Sequence, residues 1–434
     1  MAENKRAVGL AGAVSIGIGG MVGGGIFAVL GEAVSLAHGA TAVAFFFAGV
    51  VALLTSYSYA RLSVTYQNRG GTVVFVDNAF NHNLLSGSIN FMLWLSYLVT
   101  ISLYAVAFAS YAQTFFPGSA GPWLKHLLIT VAIAMPTLIN LLSASFVSRS
   151  ETVIVLVKIV LLILIIATGA PFVDTARLSP THWGTPLSIL VAGMIIFVAY
   201  EGFELIANAA EEIKRPQVNL PKAFYFSILL VVLLYVLIAV ITVGTVPESE
   251  LLRARDYALA VAARPALGQV GFTIVSVAAL LATFSAINAT IYGNARLGYI
   301  IAKEGELPRI LDEERGNIPD VGVIVTSLLS MLLANAIDLD EIAIIGSASF
   351  LLIFLIVNIS AYRLGPEIDA KRGVVLAAGL ASGVALLTLL AHTFSSNPRA
   401  VYVFLGFTVV SILFEMSYGR LVRGHFFRRT YRLS

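Results

Sequence analysis

The sequence predicts an all-α membrane protein of twelve transmembrane helices, arranged as a five-plus-five inverted repeat with discontinuous helices 1 and 6. Three observations carry that expectation. The 434-residue chain is 58% hydrophobic and 12% charged, with a mean hydropathy of +0.90, where a soluble protein carries roughly 25% charge. Its apolar runs reach the roughly 20 residues that a bilayer requires. Two of those runs, about 180 residues apart, are interrupted near their middles. Lipid offers no partner for the backbone groups that such an interruption frees.

The candidate spans lie at roughly 8–34, 40–61, 84–115, 122–146, 151–172, 186–211, 220–245, 265–301, 320–336, 340–361, 373–393 and 398–418. Lys5 and Arg6 precede the first run in the manner of a signal peptide. No small-residue cleavage site follows and the run is too long, so it reads as a retained span. The longest connection, Val246 to Arg264, is about 20 residues and leaves no room for a soluble domain. With the N-terminus inside, 20 of the 27 Lys and Arg residues fall in cytoplasmic loops and tails, including Arg61, Arg69, Lys214, Lys222, Lys303 and the tail from Arg420 to Arg432. Six fall outside (Lys125, Arg177, Arg253, Arg255, Arg264, Arg399) and Lys158 falls within a span. That bias sets both termini in the cytoplasm, and an odd number of spans would scramble it.

Spans 1–5 and 6–10 then run in opposite orientations, because five is odd, and each set opens with an interrupted helix. This is the layout of LeuT-type transporters. It divides the chain into a first repeat over 1–172, a second over 173–365, and spans 11 and 12 with a basic cytoplasmic tail over 366–434.

Composition excludes several functions. A net charge of +3 and a pI near 9.0 do not indicate nucleic acid, because the charges sit in short loops and not on one face of a soluble domain. There are no cysteines, hence no disulfides, thiolate metal sites or cysteine nucleophiles. The six histidines are scattered and lack metal-ligand spacing, so no metal is expected. No clustered acid–base constellation suggests an enzyme.

The first interruption is a glycine run: Gly17, Gly19, Gly20, Gly23, Gly24 and Gly25 fall within nine residues and weaken the helix there. Unwinding exposes carbonyls near Ile18 to Met21 and N–H groups near Gly23 to Gly25. Helix N-termini attract anions and C-termini attract cations, so the pair suits a zwitterion without any charged side chain. The alternative is small-residue helix packing, which a second break in the matching position disfavours. That second break is Phe197-Val198-Ala199-Tyr200-Glu201-Gly202-Phe203-Glu204. A carboxylate at mid-membrane costs roughly 2.5–3.5 kcal/mol on insertion scales, so such residues usually face a cavity. Glu201 reads as lining the pocket or as structural, and Glu204 as a structural partner on the cytoplasmic half. Lys158 lies about two turns into span 5. A lysine that gains and loses a proton can replace a bound metal cation, and a snorkelling or paired lysine is the alternative.

These segments together are similar to the amino acid–polyamine–organocation (APC) transporter family. The similarity rests on the glycine run, Ala199-Tyr200-Glu201-Gly202-Phe203, Glu211-Glu212 with Pro216 and Pro221-Lys222-Ala223, Gly70-Gly71-Thr72, and Ala302-Lys303-Glu304-Gly305-Glu306-Leu307-Pro308. With Lys158 and Ser285-Ala286-Ile287-Asn288-Ala289-Thr290, the chain most resembles the archaeal proton-coupled, broad-specificity members. The resemblance implies a substrate site at Met21, Val22, Gly23, Gly24, Gly25, Val198, Ala199 and Glu201. The carboxylate would sit on the N–H groups of Gly23–Gly25 and the ammonium on carbonyls of Met21, Val198, Ala199 and Glu201. Lys158 would occupy the place that sodium takes in relatives, near the Gly19 carbonyl and the Ser285 hydroxyl. Phe203 would help gate the pocket. Two departures stand out. Gly24 replaces a frequent Ser or Thr, which removes a hydroxyl from the carboxylate. Phe284 beside Ser285 weakens any sodium site.

The implied function is amino acid import by alternating access, in a multi-pass plasma or inner membrane protein. It uses no cofactor and takes the proton as coupling ion. Its partners are the amino acid and the bilayer, without nucleic acid. An uncoupled amino acid or polyamine exchanger is the alternative, disfavoured by Lys158, and a channel is the other non-enzymatic reading. Small or apolar residues expected near the substrate side chain (Leu103, Ala107, Ala286) favour neutral or small apolar amino acids.

Overall fold

The computed structural model describes residues 6–116, 118, 121–142, 144–314 and 318–423. The basic tail after 423, including His425, lies outside the described residues. The first expected span is two helices, α1 (Leu10–Met21) and α2 (Gly25–Ala37), bent by 50° across a break of three residues. There follow α3 (Thr41–Thr65), the short α4 (Thr72–Phe80), α5 (Leu84–Gln113), α6 (Pro122–Leu142) and α7 (Ala144–Gly169). The second interrupted segment is α8 (Pro186–Ile195), a 3-10 turn over Ile196–Tyr200, and a single helical turn α9 (Leu205–Asn208). Then come α10 (Pro216–Thr245), two short helices α11 (Glu248–Arg253) and α12 (Ala258–Ala262), and α13 (Arg264–Lys303). The chain ends on α14 (Asp320–Ala336), α15 (Leu339–Arg363), α16 (Arg372–Ser396) and α17 (Pro398–Tyr418).

The described residues hold no strand, only isolated bridges at Val8–Ile213 and His38–Trp183. Among them, ten helices are long and apolar enough to cross a membrane, counting 186–208 as one, and the bent α1–α2 pair makes eleven. The expected ninth span, α14, is apolar but has 17 residues, short of the usual 20 or so. The expected 246–264 loop carries α11 and α12.

Burial ranks the helices radially. The most apolar stretch of α5 is 89% buried inside the protein, against 28% in α17 and 33% in α16. So α5 is central, while α16 and α17 face outward with residues such as Leu380, Leu387 and Leu413 exposed, the normal composition of a lipid face. Around the centre, α10 packs on α1 and α3, α13 and α15 pack on α5, and α7 packs on α1, α10 and α13. Both breaks therefore lie at the middle of the molecule, with their residues buried.

Candidate functional site

In the first break, Val22 N–H still bonds to Ile18 O at 2.7 Å, and Val22 then leaves the helical region at φ −81°, ψ 47°. Helix α2 starts afresh at Gly25 with Gly24 as its N-cap. Among the described residues, the N–H groups of Gly23, Gly24 and Gly25 donate to no backbone carbonyl across the break, as expected of the first N–H groups of a helix. Met21, Val22, Gly23, Gly24 and Gly25 are all buried.

The second break is held by side chains. Ser347 on α15 accepts from Val198 N–H at 2.9 Å and donates to Ile195 O at 2.5 Å, so it replaces the bonds lost where α8 ends. Glu201 continues in extended conformation (ψ 143°), and Gly202 turns the chain at φ +116°, a region that other residues rarely adopt. Gly202 N–H donates to Glu204 Oε2 at 2.8 Å, and the Tyr97 hydroxyl donates to Glu204 Oε1 at 3.0 Å. The Thr100 hydroxyl donates to Glu201 Oε2 at 3.2 Å. Both carboxylates are thus buried and hydrogen-bonded to the central helix α5, which is how buried polar groups are accommodated.

The two breaks interlock. A Cβ on Gly20 would lie 2.5 Å from Gly202 O, and a Cβ on Gly202 would lie 2.7 Å from Met21 N. A Cβ on Gly25 would lie 2.8 Å from the Ala199 Cα. Glycine is therefore the only residue that lets these two backbones meet. Tyr235 of α10 closes the contact from the side. Its hydroxyl donates to Met21 O at 2.7 Å and lies 3.2 Å from Ala199 O. Sequence reading assigned both carbonyls to an ammonium and missed this phenol; the one available signal was a tyrosine inside the otherwise aliphatic run Val231 to Ile238.

Phe203 is fully buried in an aromatic cluster. Its ring centroid lies 5.3 Å from Tyr59, 5.1 Å from Phe354 and 6.4 Å from Phe224. Midway along α2, Glu32 pairs with Arg255, and the Gly31 backbone is pressed against Arg255. Those residues border a cavity of about 200 Å³, lined also by Lys125, Asp256, Asp338 and Asp340. That cavity reaches α2 at Ala28, in the first turn after the first break.

Lys158 is 4% exposed, whereas Leu156, Val157 and Val160 beside it are exposed. The lysine thus points into the protein, which excludes snorkelling along a lipid face. Its helix packs against α1, which carries Gly19, and α13, which carries Ser285. Ser285 is buried and Gly19 is partly buried. Ala286 comes to the first break: its Cβ would lie 3.3 Å from one built on Gly23. Leu103 and Ala107 are buried on α5.

The loop signatures gain a structural reason. Val8 N–H donates to Glu212 O at 3.0 Å and Lys214 N–H to Val8 O at 2.8 Å. Arg69 meets Glu211 at 2.5 Å and Glu212 at 3.1 Å. Gly71, at φ +46°, abuts Asn208. The chain before α1, the loop after α3 and the end of the second break are thereby tied together. Asp77, His82 and Glu306 bring ligand atoms within 4.8 Å of one another, a grouping that sequence spacing hid because α4 and the loop after α13 supply it. The Asn90 amide donates to Asp77 Oδ1 at 3.1 Å and Glu306 Oε2 at 3.0 Å, the bonding of a polar latch that joins α4 and α5 to the loop after α13.

Comparison with known proteins gives a consistent picture. The amino acid permease family model matches residues 8–414. The inner membrane transport protein YbaT of Escherichia coli is 35% identical over 417 residues, covering 95% of this chain and 96% of its own. The methylthioribose transporter of Bacillus subtilis is 26% identical over 379 residues (82% and 81%). The branched-chain amino acid permease BcaP of the same organism is 25% identical over 374 residues (82% and 80%).

Proposed function

The chain belongs to the amino acid permease family, and on that premise we propose that it imports amino acids by alternating access, coupled to protons through Lys158. The family supports a multi-pass membrane transporter of amino acids, not an enzyme. The observation that carries the mechanism is the interlocked pair of breaks at the buried centre of the molecule, where the N–H groups of Gly23–Gly25 meet no backbone acceptor across the break among the described residues.

In this reading the substrate carboxylate takes the Gly23–Gly25 N–H groups, where the α2 dipole adds to the donors. The ammonium takes the carbonyls of Met21, Val198, Ala199 and Glu201. Two of these, Met21 and Ala199, also meet the Tyr235 hydroxyl, and the second lone pair of each carbonyl is left for the ammonium. Phe203 and its aromatic neighbours form the cytoplasmic gate, and the Glu32–Arg255 pair helps close the external side. The topology is twelve spans, ten of them in two inverted halves of five with spans 11 and 12 added, both ends cytoplasmic, with α14 as span 9. The small contact at Ala286 favours neutral or small apolar side chains, and the branched-chain substrate named for one relative agrees with that.

Lys158 carries the coupling proton in place of a metal cation, adjacent to α1 and α13. The burial of Lys158 favours this over an uncoupled exchanger, which has no need of an ionisable group there. Uptake of a mixture of labelled amino acids into proteoliposomes, at several pH values with and without sodium, tests the whole. Accumulation that requires an inward proton gradient and ignores sodium is expected. Uptake driven only by counter-substrate would establish the exchanger.

A further inference from the structure

Asp77, His82 and Glu306 gather from separate parts of the chain. Asp77 lies in α4, His82 just beyond its end, and Glu306 in the loop after α13. Helix α4 stops where Asn81 and His82 both take positive φ, 53° and 50°. His82 N–H donates back to Asp77 O at 3.3 Å. That turn brings the imidazole to the carboxylate, with His82 Nδ1 3.4 Å from Asp77 Oδ2. One ligand atom from each of the three residues lies within 4.8 Å of the other two. Asp77 and Glu306 are buried, whereas the His82 side chain is 32% exposed, so an ion would enter on the imidazole side.

The 3.4 Å between imidazole and carboxylate exceeds the roughly 2.7–3.2 Å of an N–H···O hydrogen bond. It matches two ligands of one ion. With zinc bonds of about 2.0–2.2 Å, neighbouring corners of a tetrahedron stand roughly 3.3–3.5 Å apart. An imidazole with two carboxylates suits a zinc-like ion better than calcium or magnesium, which take oxygen ligands alone. Asn90 of α5 supplies an independent sign. Its amide nitrogen lies 3.1 Å from Asp77 Oδ1 and 3.4 and 3.0 Å from the two Glu306 oxygens. It thereby fixes both carboxylates, as the outer partners of a metal site do. Its amide oxygen is buried and has no hydrogen-bond partner among the described residues, although buried polar atoms ordinarily find one. A half-turn of the amide would set this oxygen between the carboxylates. A cation makes that arrangement favourable and gains a further ligand from it.

We propose that Asp77, His82 and Glu306, with the amide oxygen of Asn90, bind one divalent zinc-like ion. The scattered histidines argued against a metal only by their spacing along the chain, and this site draws a single histidine from among them. Asp77, His82 and Asn90 belong to the first repeat and Glu306 to the second, so the ion cross-links the two halves. Alternating access moves the halves against one another. A bound ion therefore holds one arrangement and slows the cycle. That consequence rests on the transport mechanism given above, whereas the binding itself does not.

Binding is measured first, by calorimetric titration of the purified full chain in detergent with zinc chloride, after EDTA treatment and its removal. One ion per chain is expected, with an unfolding temperature higher in zinc than in EDTA. His82→Ala removes the exposed ligand with least disturbance to the buried ones, and should weaken binding by about tenfold or more. His126→Ala, at an exposed histidine elsewhere, should leave the affinity unchanged. No zinc binding by the wild-type chain would overturn the site. So would an affinity that His82→Ala leaves within about twofold of wild type. In proteoliposomes, zinc on both faces should slow uptake of a labelled amino acid by the wild-type protein and not by His82→Ala. Uptake that zinc leaves unchanged, or slows equally in both, would overturn the cross-link. The titration decides the site whether or not the amino acid is carried.

Discussion

The hydroxyl of Tyr235 donates to the carbonyl oxygen of Met21 at 2.7 Å. Met21 ends the first half of the first broken helix, and the same hydroxyl lies 3.2 Å from the Ala199 carbonyl of the second break. One side chain from α10 thus serves carbonyls that two separate helix interruptions leave open. Removing it leaves a buried carbonyl without its donor, at a cost of about 1–3 kcal/mol. Tyr235→Phe should therefore lower transport by roughly tenfold or more while leaving the protein folded and membrane-inserted. Unaltered uptake by Tyr235→Phe would show that the phenol merely fills space.

The contact between Gly20 and Gly202 makes a sharper prediction. Neither position has room for a Cβ, and Gly202 also sits at φ +116°. Gly202→Ala suffers both strain and collision, whereas Gly20→Ala suffers collision alone. Uptake should be lost in both, with the larger fall in thermal stability for Gly202→Ala. Gly25→Leu, pressed on Ala199, should abolish substrate binding with expression retained. Full uptake by Gly25→Leu would move the substrate site elsewhere.

Much of this arrangement was legible in the sequence. Long apolar runs with few charges leave little alternative to spanning helices, and six glycines in nine residues do not sustain one. What the sequence concealed was set by contacts between distant residues. Tyr235 and Ser347 reach the breaks from α10 and α15, and nothing in their local sequence marks them. The Val8 pairing with the Glu212–Lys214 backbone is similarly silent, because backbone hydrogen bonds carry no side-chain signature. Glu201 and Glu204 were visible as costly mid-segment charges, but that their partners are Thr100 and Tyr97 follows only from the packing of α5 beside the break.

Topology is open to direct test because the chain has no cysteine. Lys371 and Ser396 flank α16 at its two ends and both are exposed. A single cysteine at Lys371 should react with a membrane-impermeant maleimide only from the cytoplasmic side, and one at Ser396 only from outside. Reaction of both from the same side would remove α16 from the list of spans and overturn the proposed count of twelve.

Lys158 bears the coupling prediction. It is buried in a helix that packs on α1 and α13, where its lipid-side neighbours are exposed, so its ammonium meets protein and not headgroups. On the proposed coupling, a protonated lysine here would draw on carbonyl and hydroxyl acceptors as a cation does, and would tie α7 to the first broken helix and to α13. Loss of the proton would remove the charge and the third donor, which is expected to loosen α1 and let the cytoplasmic side open. Proton supply from outside would then favour the loaded, closed form, so uptake should rise as external pH falls and should not need sodium. Lys158→Ala removes the titrating group but none of the backbone donors at Gly23–Gly25. It should bind substrate and equilibrate it across the membrane, yet fail to concentrate it against a gradient. Concentrative uptake by Lys158→Ala with the wild-type pH dependence would make the lysine structural and place the coupling proton on another buried group.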